Sequence, residues 1–106
     1  MQVYKAPLKD YKFLIKDFLN TTSREQLFKN SDIDQNDLNM ILDEAAKLCE
    51  EVLLPINQSA DEEGCIFNKG KVSTPKGFKE AYKNFVDNGW QGITVNKKYG
   101  GQNLPY

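Results

Sequence analysis

The sequence contains no histidine at all. That removes the commonest general base, the Ser–His arrangements of nucleophilic catalysis and histidine metal sites together. It has two cysteines, Cys49 and Cys65, with no metal or redox spacing and no activating neighbour in sequence. No apolar run is long enough to span a bilayer, and there is no signal peptide with a basic start and an apolar core. A cytoplasmic, reduced setting fits that pattern. The net charge is only -1, so nothing in the overall balance calls for a nucleic-acid or membrane partner. Internal repeats and low-complexity tracts are also missing.

What is present is one ordinary globular composition, 40% hydrophobic and 27% charged, in a chain of single-domain length. The longest unbroken helical rhythm runs from Asp34 to Leu54. Leu38, Ile41, Leu42, Ala45, Leu48, Cys49, Val52 and Leu53 share one face, and Asp37, Asn39, Asp43, Glu44, Lys47, Glu50 and Glu51 suit the wet side. Such a helix spans roughly 30 Å and needs other segments to cover it. Asp34 is placed as N-cap, with Ile33 and Leu38 as a hydrophobic staple. Pro55 should bend the helix, which then continues towards Glu62 and ends at Gly64.

The flanking elements follow from local signals. Pro7 opens a helix over 8–19 with Tyr11, Leu14, Ile15 and Phe18 on its inner face, ended by Asn20-Thr21-Thr22. Thr22 and Glu25 form a capping box for a short helix at 23–29 carrying Leu27 and Phe28. Cys65-Ile66-Phe67 and Lys71-Val72-Ser73 flank a three-residue loop, Asn68-Lys69-Gly70, which predicts a hairpin in need of a helix to lean on. Thr74 and Pro75 open a helix from Pro75 to Asn88 with Phe78, Ala81, Tyr82, Phe85 and Val86 inward. Gly89 closes it and Trp90 folds back on Phe85. Residues 91–106 read as loop. The expected fold class is all-α: a small bundle of about four helices with a short β-hairpin.

Charge is unevenly distributed. Residues 1–30 carry a balance of +3, residues 31–63 of -9 and residues 64–106 of +5. The expectation is that basic flanks lie against an acidic central helix. Asp43, Glu44, Glu50, Glu51, Asp61, Glu62 and Glu63 could supply an acid–base pair or a cation site, but they fit no calcium-loop spacing and read as a solvated face. Gly100-Gly101 lacks the strand and glycine spacing of a dinucleotide turn. Lys76-Gly77-Phe78 begins like an RNA-recognition strand, but its period is helical and it reads as packing. Lys97 and Lys98 beside Tyr99 read as an ordinary surface loop.

Several stretches together resemble the flavin-dependent acyl-CoA dehydrogenases. Tyr4-Lys5-Ala6-Pro7-Leu8-Lys9-Asp10 with Phe13 is similar to the N-terminal extension of the subgroup that includes 3-methylmercaptopropionyl-CoA dehydrogenases. Glu50 to Asn57, then Asp61 to Cys65, resemble the first long helix and its exit. Thr74 to Tyr82 with Gly89-Trp90 resemble the next helix, and Tyr99 to Pro105 the loop that follows, with Asn103 where glycine is often seen.

The resemblance implies residues 1–30 as an N-terminal extension and 31–106 as an incomplete N-terminal helical domain. It implies α,β-dehydrogenation of an acyl-CoA thioester by the full enzyme. There a base removes the α-proton, a hydride leaves the β-carbon for flavin N5, and electrons pass to an electron-transfer flavoprotein. It further implies that FAD and the catalytic glutamate belong to later β-domain and C-terminal helical parts, and that the acyl pocket is lined mostly beyond Tyr106. No catalytic, cofactor-binding or metal residue is therefore carried onto this sequence. FAD is expected in the full-length enzyme and not on this chain alone.

The implied partners are the rest of the dehydrogenase, acyl-CoA, the electron-transfer flavoprotein and, when complete, further copies of itself, with no nucleic acid and no membrane. Tyr99, Gly100 and Gly101 match a loop motif and are read as structural, with glycines allowing positive φ. With so little to cover the central helix, an exposed apolar patch is expected. Two alternatives remain open: a stand-alone helical interaction module, or an accessory subunit of a split dehydrogenase. A coding frame that continues into β-domain sequence would favour the fragment over either.

Overall fold

The computed structural model describes residues 3–20 and 33–105. The capping box at Thr22 and Glu25 and the short helix at 23–29 lie outside the described residues.

Among those residues the architecture is three helices and a two-stranded antiparallel hairpin. Helix α1 runs over Leu8–Phe13 and continues as a wider π turn over Leu14–Phe18. It ends at Asn20, whose φ of 48° places it in the left-handed region that stops a helix. Helix α2 is continuous through Gln35–Lys47, a π stretch at Leu48–Leu53, and Leu54–Glu63. The hairpin pairs β1 (Ile66–Asn68) with β2 (Lys71–Ser73), and α3 spans Phe78–Asp87. Short 3-10 turns at Trp90–Gly92 and Lys97–Tyr99 shape the remainder.

The start of α2 is as the sequence predicts, with one addition. The Asp34 side chain accepts from the Asp37 N–H at 2.9 Å, and Asp37 returns the bond by accepting from the Asp34 N–H at 2.8 Å. Asp37, assigned from sequence only to the wet side, completes a reciprocal capping box.

Pro55 neither ends the helix nor leaves it regular. It has no N–H to give the Glu51 carbonyl, and its ring would press on that carbonyl in an α-helix. The helix widens immediately before it, where the Leu54 N–H reaches back five residues to the Cys49 carbonyl. The exit is as expected: Gly64, at φ 66°, donates to the Ala60 carbonyl at 2.9 Å.

Four sequence expectations need correction. First, the inner face of α1 is Leu8, Lys12 and Ile15, all half-buried, whereas Tyr11, Leu14 and Phe18 are exposed. The helix is turned so that Lys12 can meet the acidic face of α2. Second, the hairpin loop has two residues, Lys69 and Gly70, because Asn68 pairs with Lys71. Their φ values of 48° and 78° have the sign that matches the right-handed twist of the strands. Third, no described helix covers that hairpin: all six strand residues are exposed. Its base is closed by Glu63, which accepts from the Lys76 N–H at 3.0 Å.

Fourth, α3 starts three residues later than predicted. Pro75 is buried, Lys76 and Gly77 form a turn closed by the Phe78 N–H donating to the Pro75 carbonyl at 3.3 Å, and Gly77, at φ 89°, is the N-cap. At its other end the Gly89 N–H donates to the Val86 carbonyl at 2.9 Å, as one bond of a glycine-terminated helix end should.

Helix α1 packs on the first stretch of α2, and α3 on the π stretch. The result is a slab of 55 × 36 × 16 Å with a radius of gyration of 17.4 Å. A compact chain of 100 residues would have about 13 Å. The only buried hydrophobic residues among those described are Ala46, Ala60 and Ala81, where helices approach closely. The expected apolar exposure is present, but it lies more on α1, the hairpin and α3 than on α2. Phe18 is 71% exposed, Phe67 73%, Val72 67% and Tyr82 68%, while on α2 the exposed large apolar residues are Met40 at 64% and Leu53 at 39%.

Candidate functional site

The acidic residues of α2 do not converge. Glu50 accepts from Lys5 Nζ and from the Ala6 N–H, both at 2.8 Å. Asp43 pairs with Lys12 at 2.7 Å and Glu44 with Lys47 at 2.5 Å. Glu62 accepts from Gln58 at 2.9 Å, Glu63 holds Lys76, and Glu51 and Asp61 are exposed. Among the described residues no three metal-capable side chains gather. Each of these carboxylates caps, pairs or is exposed.

The N-terminal basic flank lies against that face, through Lys5 and Lys12. Lys5 and Lys12 are seven residues apart, as are Asp43 and Glu50, and the chains run oppositely. On α2 Asp43 and Glu50 lie two turns apart on one side of the helix, whereas Lys12 stands on α1 and Lys5 in the non-helical segment before it. Hydrogen bonding to Lys5, then to the Ala6 amide, holds the Glu50 carboxyl below its ordinary range, and Glu50 in turn raises the Lys5 ammonium. The sequence spacing carried this signal, although no role for Glu50 was assigned from it.

Open grooves flank α2 on both sides. One of about 360 Å³ lies between the N-terminal segment and the π stretch, lined by Val3, Tyr4, Cys49, Leu53, Leu54 and Asn57. Cys49 is half-buried there and is not a sealed core residue; Cys65 is exposed. A second, of about 370 Å³, separates α2 from α3, with Glu44, Lys47, Glu51, Asn84, Asn88 and Trp90 among its walls.

The glycine-rich loop is closed on itself. The Lys98 N–H donates to the Asn96 side chain. Those of Tyr99, Gly100, Gly101, Gln102, Asn103 and Leu104 donate to the carbonyls of Asn96, Lys97, Asn96, Gly92, Val95 and Ile93. Seven consecutive amides are thus directed inward, which leaves this loop unlike a phosphate cradle. Gly100 has the expected positive φ, 83°, whereas Gly101 is needed for a different reason: a Cβ there would lie 2.0 Å from the Val95 carbonyl oxygen. Asn103 takes φ 57°, a conformation asparagine tolerates in place of glycine. Lys98 Nζ sits 5.5 Å from the Tyr99 ring. Lys76-Gly77-Phe78 forms a helix entry and no strand, with Phe78 42% exposed.

A long helix carrying a hairpin, a second helix and a closed glycine loop is the arrangement expected of an acyl-CoA dehydrogenase N-terminal domain. Residues 35–106 match the family "Acyl-CoA dehydrogenase, N-terminal domain", and the chain belongs to that family. It is 35% identical over 102 residues to the 3-methylmercaptopropionyl-CoA dehydrogenase of Ruegeria pomeroyi, covering 96% of this chain and 17% of that protein. It is 33% identical over 90 residues to the butyryl-CoA dehydrogenase of Syntrophomonas wolfei, covering 81% of this chain and 15% of that protein. The chain thus spans about a sixth of the length of these relatives.

The family generally uses FAD. The loop most suggestive of a diphosphate site has its amides directed inward, so it does not fit that group, and no step through a flavin is derived from these residues. No helix among the described residues is long and apolar enough to cross a membrane.

Proposed function

We propose that this chain is the N-terminal portion of a flavin-dependent acyl-CoA dehydrogenase and contributes scaffold to it. The observation that carries this reading is the match of residues 35–106 to the family's N-terminal domain in a chain spanning only 17% and 15% of its relatives. The thin slab, whose buried hydrophobic residues are three alanines among those described, is consistent with a piece that seals against a larger body. In this reading residues 1–30 are an extension and 31–106 the incomplete domain. The whole enzyme performs α,β-dehydrogenation of an acyl-CoA thioester, and the first-named relative suggests 3-methylmercaptopropionyl-CoA as the substrate to try first. FAD, the catalytic base and most of the acyl pocket belong to the remainder, which is this chain's principal partner. No residue described above is assigned a catalytic, flavin-binding or metal role.

The test is spectroscopic. FAD and an acyl-CoA added to the 106-residue chain should give no bleaching of the flavin band, and bleaching at a useful rate would refute the reading. Co-expression with the β-domain and C-terminal parts should restore it, with 3-methylmercaptopropionyl-CoA and butyryl-CoA compared as substrates.

A further inference from the structure

We propose that Val3–Phe18 is an electrostatic latch, a strap that opens from α2 as a unit while the rest of α2, the hairpin and α3 stay folded. The segment contains no buried residue among those described; Leu8, Lys12 and Ile15 are only half-buried against α2. Its ion pairs to α2, among the described residues, are Lys5–Glu50 and Lys12–Asp43, with Val3 and Tyr4 beyond the first and Ile15 beyond the second. Between those rungs lies an open cleft of about 480 Å³, lined by Leu8, Met40 and Ala46 together with the paired charges. Apolar closure is therefore incomplete where it would have to hold the strap unaided. Ion pairs of such exposure are individually weak and screened by salt, so the strap belongs to the low-stability end of the molecule.

Opening would uncover Ala46 and widen the groove that Val3 and Tyr4 form with Cys49, Leu53 and Leu54. The α3 side of α2 should be little affected, since α3 packs on the π stretch and α1 on the first stretch of α2. The inference stands apart from the flavoenzyme reading, because it concerns contacts within this chain.

Amide hydrogen exchange on the 106-residue chain tests it, read at Ala6, across α1 and across α3. In 1 M NaCl, or in the double variant E50Q/D43N, exchange at Ala6 and in α1 should rise roughly three- to tenfold, with α3 unchanged. Reversing the second rung alone, K12E, should also speed α1, and the swap K12E/D43K should bring it back. Three results would overturn the latch: an Ala6 amide unprotected in the parent chain, no change in the variants, or a parallel rise in α3 showing that the molecule opens as a whole.

Discussion

A Cβ on Gly77 would stand 2.9 Å from Cγ2 of Ile56, so the entry to α3 touches the far end of α2 at a point where no side chain fits. Gly77 also takes φ 89°, which an L-residue adopts at a cost. Gly77→Ala should therefore destabilise the chain by about 2 kcal/mol, through backbone strain and displacement of Ile56. Urea unfolding followed by circular dichroism measures it. The double change Gly77→Ala with Ile56→Val should recover part of the loss, since it relieves the contact but not the strain.

Gly101 presents the same constraint against backbone. A Cβ 2.0 Å from the Val95 oxygen and 2.3 Å from its carbon can be accommodated only if the strand of loop moves. Gly101→Ala should break the bonds from Gln102 to Gly92 and from Asn103 to Val95. Exchange at those amides should speed by at least about tenfold, the loss of one net hydrogen bond, while α1 amides keep their rates.

The capping box at the head of α2 gives a smaller, cleaner effect. Asp34→Ala removes the acceptor for the Asp37 N–H and should cost about 1 kcal/mol, seen as a lower urea midpoint. Asp34→Ser keeps an acceptor at that place and should restore most of it.

Acid should loosen the N-terminal segment before it loosens α3. The Glu50 carboxyl is held below the ordinary 4.5 by Lys5 and the Ala6 amide. A depressed carboxyl contributes stability that is fully present above 4.5 and is lost as pH falls through its lower, folded value. Lys5 is raised above 10.5, so its share is present below 10.5 and fades as pH rises through the higher value. The contact should hold between these limits. The Ala6 amide resonance, followed by NMR on titration to low pH, should move with the Glu50 carboxyl, and Glu50→Gln should abolish that titration.

How much of this was legible in the residues varies with the range of the forces involved. The cap at Asp34, the stop at Gly64, the hairpin and the N-terminal basic segment set against acidic α2 follow from neighbours a few positions apart, or from charge counts. Asp37 went unrecognised because the reciprocal cap signature, read at Thr22 and Glu25, calls for Glu or Gln at the third position, where an Asp stands. The α1 face was half misjudged: apolar spacing grouped Tyr11, Leu14 and Phe18 with Ile15, whereas the packing kept Ile15 and added Leu8 and Lys12, which meets Asp43.

By itself, then, the sequence determined that the segments now seen as α1, α2 and α3 are helical and where α2 starts and stops. Those outcomes rest on local sterics and capping. Tertiary structure alone decided that Pro55 is absorbed by a widened turn, that Gly77 and Gly101 are glycines for lack of room, and that one carboxylate ties the amino end to the long helix. Each of these depends on the distance between atoms far apart in the chain, which only packing sets.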